Sequence, residues 1–341
     1  MGRHPVTIRR SLLPLGLLAA VAAPGAALAH STAGGVELLP GEFRVRPVVT
    51  LEGHGGLENN LEGRPQHYAI DGLFGAVFEW GLERGGSFAI EAQLGPALVW
   101  GEAEHFYGRV HIEPPVTAAP TSSSSEEEEE DGDHAEDDHG DGDHAEEAHS
   151  HSEAHSDGVP YRRTDVKGYL QARYQPNDRF EVSFTWWPYY VSGDQGEDVI
   201  GLKNEIGVQA IWALGDGDVN FALGDGLETI GDGIFLSLEN RTGWESTKTY
   251  LGNYTDPWVG LGFNVDLLNV TLSAGPRFYS PGSYANLPFR TDWGGELELE
   301  YPVSKSVVLF AHYKPIYTVQ GGEGWGVGWQ HHLGSGISFS F

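Results

Sequence analysis

The last fifteen residues, VGWQHHLGSGISFSF (327–341), decide the fold of this chain. One set of alternate positions is mostly apolar and consists of Val327, Trp329, His331, Leu333, Ser335, Ile337, Phe339 and Phe341. The other set is small or polar and consists of Gly328, Gln330, His332, Gly334, Gly336, Ser338 and Ser340. A period of two is that of a β-strand, and the run is longer than the roughly five to six residues usual in soluble proteins. We therefore predict a long terminal strand with one apolar face.

The same alternation recurs along the chain. Clear segments lie at 68–83, 88–100, 179–188, 200–214, 270–278 and 293–301, and less regular ones near 42–52, 163–174, 258–265 and 307–316. About ten tilted residues of this kind cross a bilayer in a barrel. A final strand that ends in Phe341 resembles the closing strand of bacterial outer-membrane β-barrels, which their assembly machinery recognises. The resemblance implies an all-β, closed antiparallel barrel in outer-membrane lipid, with that machinery as a partner. It extends to no single family and carries over no functional residues.

The connections between these segments alternate in length. Short ones lie near 84–86, 175–178, 266–269 and 302–306, and long ones near 53–66, 108–160, 244–257, 280–292 and 318–326. Short periplasmic turns and long external loops are typical of outer-membrane barrels. We count twelve strands with both termini in the periplasm. The stretch 215–233 fits a long strand, an inward-folded turn or an extra hairpin, and the hairpin would give fourteen strands.

The N-terminus predicts export. Arg3, Arg9 and Arg10 precede an apolar stretch that ends in Ala27-Leu28-Ala29, which is the pattern of a secretory signal peptide. The predicted organisation is a signal peptide (1–29), a periplasmic segment (30–40), strands 1–3 (41–112), an external loop (113–160) and strands 4–12 (161–341). The predicted location is the bacterial outer membrane.

Composition excludes several classes of protein. The chain has no Cys, which excludes disulfide scaffolds, thiolate metal sites and cysteine nucleophiles. Its 49 acidic residues against 20 basic ones give a formal net charge of -29, so nucleic acid is not expected as a partner.

A secreted β-sandwich is the alternative fold, because its strands alternate in the same way. The terminal Phe341, the alternating connection lengths and the aromatic residues near strand ends favour the barrel. The aromatic residues predicted to form a girdle near the external ends are Trp100, Trp186, Tyr190, Tyr279, Tyr317 and Trp325.

Residues 121–160 differ in composition from the rest of the chain. They contain sixteen acidic residues and neither Lys nor Arg, so we expect this segment to be disordered and external. Two ten-residue units that begin at Asp131 and Asp141 repeat imperfectly. The candidate metal ligands are His134, His139, His144, His149, His151, His155, Asp131, Asp133, Asp141 and Asp143. Imidazole and carboxylate suit zinc, nickel, cobalt or Cu(II), and a flexible segment would bind such ions weakly and at several positions. A merely solvated acidic loop is the alternative.

The alternating strands also predict the lining of the barrel. Candidate lumen residues are Arg277, Lys203, Glu205, Glu296, Glu298 and Glu300. Further inward candidates are Arg44, Arg46, Arg173, Lys314, Glu52, Asp71, Glu79, Glu91 and Glu181, and His332 has the same parity as the polar face of its strand. The alternate glutamates at 296–300 form a ladder that could pass cations.

Three functions remain open from the sequence. The first is passive passage or capture of divalent transition-metal ions, with zinc as the first choice and the acidic loop as collector. The second is a general small-solute porin whose acidic loop is only solvated, and the third is a surface metal binder on a plugged barrel. No catalytic motif occurs, so we expect neither an enzyme nor a required cofactor.

Overall fold

The computed structural model describes residues 38–59, 66–101, 161–192, 201–215, 223–224, 230–244, 250–282, 288–321 and 326–341. They belong to one compact unit, and a second unit, Ile112–Gly158, lies outside the described residues. The predicted signal peptide (1–29), most of the periplasmic segment (30–40) and the acidic loop (113–160) also lie outside them.

The described residues form thirteen β-strands and one short 3-10 helix. The strands are β1 (Phe43–Glu58), β2 (Gln66–Gly81), β3 (Ser87–Gly101), β4 (Tyr161–Asn177), β5 (Phe180–Val191), β6 (Gly201–Ala213), β7 (Leu223–Gly224), β8 (Ile234–Trp244), β9 (Tyr250–Val265), β10 (Leu268–Pro281), β11 (Arg290–Ser304), β12 (Val307–Thr318) and β13 (Gly328–Ser340). The 3-10 helix (Ile230–Gly233) lies directly before β8.

Twelve of these strands close into an antiparallel barrel. Each strand pairs with its neighbours in chain order, with β6 joined directly to β8. The barrel closes between β1 and β13, whose register runs from Val48 opposite Ser340 to Glu58 opposite Gln330. The predicted fold class and the count of twelve strands are confirmed.

The segment between β6 and β8 adds no hairpin to the barrel in the part of the chain that is described. β7 is two residues long and runs parallel to β9, with Leu223 opposite Gly262 and Gly224 opposite Phe263. The pairing between β8 and β9 starts at Ile234 and Leu261, so β7 continues along the edge of β9 just beyond β8. Of the predicted alternatives, the fourteen-strand barrel is therefore wrong.

The two ends of the barrel differ in the length of their connections. The short-turn end holds the turns 82–86, 178–179, 266–267 and 305–306, together with the start of β1 and the end of β13. The opposite end is the loop end, where 102–160 joins β3 to β4. Two connections predicted to be long are shorter than expected. β1 continues to Glu58 and β9 begins at Tyr250, which leaves only 59–65 and 245–249.

The outer face of the barrel is apolar. Phe74, Leu94, Val259, Leu272 and Leu333 are all exposed on strands whose alternate residues point inward. Among the described residues, no helix is long and apolar enough to cross a membrane.

Aromatic side chains lie on the outer face near both ends of the barrel. At the short-turn end the ring centroid of Trp80 is 5.0 Å from that of Phe43 and 5.5 Å from that of Phe88. At the loop end the rings of Tyr68 and Trp100 are 5.6 Å apart, and those of Tyr317 and Trp329 are 5.1 Å apart. Such belts mark the two membrane–water interfaces.

The predicted girdle is confirmed in part. Trp100, Trp186, Tyr190 and Tyr317 lie on the outer face, whereas Trp325 lies outside the described residues. The prediction for Tyr279 is wrong. Its side chain is buried inside the barrel, because it shares the inward parity of Arg277 two residues before it.

Candidate functional site: the barrel lumen

Charged and polar side chains line the inside of the barrel. The predicted lumen residues Lys203, Glu205, Arg277, Glu296, Glu298 and Glu300 all occupy inward positions. The inward acidic residues on the described strands are Glu52, Asp71, Glu79, Glu91, Asp165, Glu181, Glu205, Glu239, Asp256, Asp292, Glu296, Glu298 and Glu300. The inward basic residues there are Arg44, Arg46, Arg163, Lys167, Arg173, Lys203, Arg241, Arg277, Arg290 and Lys314. Acidic side chains therefore outnumber basic ones along the described lining.

One network of buried ion pairs spans β6, β8, β9 and β10. Arg241 contacts Glu205 on β6, and its Nε atom lies 3.3 Å from Oε1 of Glu239. Arg277 donates from Nε to Oδ1 of Asp256 at 2.9 Å and from Nη2 to Oδ2 of the same carboxylate at 2.5 Å. Each of these buried charges in this wall of the lumen has a partner of opposite charge, and these ion pairs connect the neighbouring strands.

Aromatic rings lie beneath several of these cations. The guanidinium carbon of Arg277 lies 3.8 Å from the centroid of the Tyr254 ring, and that of Arg241 lies 4.1 Å from the Trp187 ring. Arg290 stacks in the same way on Tyr279, at 4.1 Å. The rings attract the cations and fix the direction in which the guanidinium groups point.

A second set of ion pairs lies around β4. Lys167 contacts Asp71 on β2, and Arg163 donates to Asp165 at 2.7 Å. Asp165 also accepts a hydrogen bond from the Tyr189 hydroxyl at 2.6 Å and one from the backbone N–H of Ser192 at 2.9 Å. This carboxylate therefore ties β4 to the loop-end part of β5.

The glutamate ladder of β11 lies between two different neighbours. Across β10 the glutamates 296, 298 and 300 face Ser273, Thr271 and Asn269, which carry no charge. Across β12, Glu298 lies opposite His312, and Oε2 of Glu296 is 3.8 Å from Nζ of Lys314. The ladder therefore forms a stripe of three carboxylates that runs toward the short-turn end.

Four histidines meet in the lumen near the loop end, and we call them the lumenal histidine cluster: His54 (β1), His67 (β2), His312 (β12) and His332 (β13). The His332 ring lies at the centre, with its centroid 5.3 Å from that of His54, 5.5 Å from that of His312 and 6.2 Å from that of His67. The inward parity predicted for His332 is confirmed.

Carboxylates lie beside this cluster. Nε2 of His54 is 3.1 Å from Oδ2 of Asp71, and Nε2 of His312 is 3.8 Å from Oε1 of Glu52. Sequence reasoning missed the cluster because it assigned 53–66 to a connection. The signal that could have found it is parity, since His54 has the parity of Glu52, and His67 that of Asp71.

The predicted metal ligands of the acidic segment, from Asp131 to His155, lie outside the described residues. Within the described residues no group of three or more His, Asp or Glu side chains is arranged, as it stands, to hold a metal ion. His331, the neighbour of His332, faces outward and lies 2.8 Å through Nδ1 from the Tyr313 hydroxyl.

Comparisons with known proteins find one family model and several solved structures that are similar to this chain. The model of a family described as cyanophage outer membrane protein like beta barrel domain matches residues 228–341, about a third of the chain. An outer-membrane channel from Pseudomonas putida F1 is 10% identical, with 90% of this chain and 98% of that chain covered and a TM-score of 0.45. The translocator domain of the autotransporter NalP from Neisseria meningitidis is 11% identical, with 86% and 88% covered and a TM-score of 0.43. The NanC porin is 9% identical, with 85% and 100% covered and a TM-score of 0.39. No curated protein matches the chain.

The surface of the barrel gives its location. A closed barrel satisfies every strand edge, which is the condition for crossing a bilayer with β-strands. Its apolar outer face and two aromatic belts match a bilayer, and the matching family model also describes an outer-membrane barrel. The chain is a bacterial outer-membrane β-barrel embedded in lipid.

Proposed function

We propose that the barrel is a passive channel for small hydrophilic solutes. The observation that carries this proposal is the contrast between an apolar outer face and an inner face lined with charged groups such as Lys203, Glu205 and Arg277. A water-filled path needs such a lining. Twelve strands enclose a lumen between that of the filled eight-stranded barrels and that of the open porins, so the solutes are small.

The excess of acidic side chains favours cations among those solutes. The stripe formed by Glu296, Glu298 and Glu300 lies along the path from the loop end toward the short-turn end. A negative lining lowers the energy of a cation in a narrow pore and raises that of an anion. We place the loop end outside the cell and the short-turn end in the periplasm, as the lengths of the connections favour.

A second candidate is passage or capture of divalent transition-metal ions. Two independent features favour it, namely the His/Asp/Glu-rich composition of 121–160 and the lumenal histidine cluster. The acidic segment would bind zinc, or alternatively nickel, cobalt or Cu(II), weakly and at several positions, and would raise the ion concentration at the mouth. A third candidate keeps the same segment on a plugged barrel as a surface metal binder. We expect no enzymatic activity and no required cofactor, and we expect the assembly machinery to bind the strand that ends at Phe341.

Conductance in planar lipid bilayers tests these proposals. The refolded parent chain and a deletion of 121–160 are each recorded in a KCl gradient, with and without zinc. Cation-selective current in both proteins is the expected result for a channel, and an effect of zinc only in the parent would favour the metal candidate. The absence of current from correctly folded parent protein would contradict the channel and leave the surface metal binder.

A further inference from the structure

The lumen contains histidine and carboxylate side chains, which are residue types that bind metal ions, on strands outside the acidic segment 121–160. We propose that the lumenal histidine cluster binds one divalent transition-metal ion, with the imidazoles of His54, His312 and His332 as ligands and the Glu52 carboxylate as a fourth. The proposal rests on the proposed function only in requiring that an ion can enter the lumen. Neutral imidazole with one or two carboxylates is the ligand set that zinc and its neighbours prefer.

The spacing of the rings suits shared coordination. A zinc ion binds imidazole nitrogens at about 2.0 Å, so two imidazoles on one tetrahedral ion have centroids about 5 Å apart. The centroids of His54 and His312 lie 5.3 Å and 5.5 Å from that of His332, which is close to this value. For each of these two pairs the spacing of the rings is therefore close to that of two imidazoles on one ion, and the rings must rotate to direct their nitrogens to it.

The carboxylates divide into two roles. Asp71 accepts from Nε2 of His54 at 3.1 Å and is itself held by Lys167, so its role is to orient that imidazole. A carboxylate behind a ligating histidine fixes the tautomer and direction of the ring. With Nε2 engaged, Nδ1 of His54 is the nitrogen left for an ion, and it has no hydrogen-bond partner among the described residues.

Glu52 lies on the opposite side of the cluster. Its Oε1 atom is 3.8 Å from Nε2 of His312. Because zinc binds imidazole nitrogen and carboxylate oxygen at about 2.0 to 2.2 Å, an ion between these two atoms would be within reach of both. Lys314 is in register with His332, but its ammonium group is directed to Glu296 at 3.8 Å and to the Trp258 ring at 5.0 Å. Lys167 is a cation beside the cluster, and it contacts Asp71. The carboxylates of Glu52 and Asp71 would repel an anion at the cluster, whereas they attract a metal ion.

The incomplete convergence of the side chains also determines the strength of the site. Because the rings must rotate before they share an ion, part of the binding free energy is spent on ordering them. Weak binding suits a channel, since conduction requires that an ion leave as readily as it enters. A tight structural site, with all four ligands already in place, would block the lumen.

The test measures zinc binding rather than transport. The full chain with the six histidines of 121–160 replaced by Asn is refolded in detergent, and zinc is titrated into it by calorimetry. Three further variants are made in this background: His332→Asn, His54→Asn and the matched control His331→Asn, which changes the neighbouring residue on the outer face. Each is checked for folding by its heat-dependent migration on a gel.

We expect the background chain to bind one zinc ion, with an affinity about tenfold or more lower in His332→Asn and His54→Asn and unchanged in His331→Asn. Cobalt absorption in the visible range provides a second readout of imidazole ligation. A background chain that binds no zinc, or equal affinity in His332→Asn and His331→Asn, overturns the proposal. Zinc binding without any conductance would contradict the proposed channel function but not the proposed zinc site, so the two proposals can fail separately.

Discussion

Gly334 on β13 lies directly opposite His312 on β12, and the imidazole occupies the space that a side chain at 334 would fill. A β-carbon at this position would lie 2.3 Å from Cε1 and 2.5 Å from Nε2 of His312, and 3.0 Å from Oε1 of Glu52. The glycine therefore allows His312 to lie flat against β13 beside Glu52 and His332.

Replacement of this glycine tests how the cluster is positioned. In Gly334→Ala the displaced atoms are at the far end of the His312 side chain, so the ring can turn away. The substitution should therefore lower the free energy of unfolding by less than about 1 kcal/mol. Zinc affinity, measured by calorimetry in the chain that lacks the loop histidines, should fall about tenfold, because His312 no longer faces Glu52. Gly72→Ala is the control, since its β-carbon would make an ordinary contact of 3.5 Å with Leu51. Equal zinc affinity in the two variants would show that His312 is not a ligand.

Gly75 on β2 has a different neighbour, and we expect a different result there. A β-carbon at 75 would lie 1.8 Å from the backbone oxygen of Ala92 on β3, which cannot rotate away. Gly75→Ala should therefore destabilise the barrel by about 3 kcal/mol or more, or prevent refolding. Urea unfolding in detergent, followed by tryptophan fluorescence, measures this loss. A midpoint equal to that of Gly72→Ala would contradict the close strand approach.

The Arg277–Asp256 pair is expected to hold the lumen wall. Both side chains are buried, and two guanidinium nitrogens bind one carboxylate. In Arg277→Met the carboxylate of Asp256 is left without its cation, which should cost about 3 to 5 kcal/mol of unfolding free energy. Arg277→Met combined with Asp256→Leu should recover much of this loss. Arg44→Met is the control, because it removes only a more exposed pair with Glu42 and should cost far less. A loss in Arg277→Met no greater than in Arg44→Met would contradict the network.

The terminal strand shows why much of the fold could be predicted from the sequence. Residues 327–341 were predicted as a strand, and β13 spans Gly328–Ser340 with the predicted parity. In a barrel one face of each strand contacts lipid and the other faces a polar lumen. Apolar and polar residues therefore alternate along the sequence of the strand. The lumen positions of Arg277, Lys203 and Glu205 followed from the same rule.

The alternating pattern is weak in β8 and in the first half of β9, which the sequence predicts as part of the connection 244–257, and the reason is physical. Their inner face carries Glu239, Arg241 and Asp256, while their outer face carries Asn240, Asn253 and Thr255. The contrast between the two faces is therefore lost near the loop end. The polar atoms of the outer face satisfy one another, since Asn240 donates from Nδ2 to Asn253 at 2.6 Å and to Thr255 at 2.8 Å. Only the structure reveals such local pairing.

The histidine cluster could not be predicted because it depends on the closure of the barrel. His54 and His67 come from the first two strands, and His312 and His332 from the last two. Nothing in the local sequence states that Gly334 lies between His54 and His312, which requires both the β1–β13 and the β12–β13 registers. Parity can indicate that a side chain faces inward, but not which distant strand lies beside it.

The glutamate ladder should control which ions pass through the barrel. The triple variant Glu296→Gln, Glu298→Gln, Glu300→Gln removes three negative charges from the lining and keeps the size of the side chains. We expect the reversal potential in a KCl gradient to move toward zero, because a neutral lining no longer favours potassium over chloride. Glu83→Gln is the control, since Glu83 is an exposed residue of the turn 82–86. An equal reversal potential in both variants would mean that the ladder lies off the conducting path.

Deletion of 121–160 should leave the barrel folded. The pairing of β3 with β4 runs from Ser87 opposite Gln175 to Trp100 opposite Tyr161, so the two strands are held along their length by their own register. Removal of these residues leaves 102–120 to join the strands, and the free energy of closing the shorter connection changes by only about 1 kcal/mol, in the stabilising direction. The truncated chain should therefore refold and show heat-dependent migration on a gel, with an unfolding midpoint at or slightly above that of the parent. A product that migrates as unfolded chain without heating would show that the barrel needs the acidic segment in order to fold. The proposed metal binding by this segment would then have to be tested with the six histidine substitutions instead of the deletion.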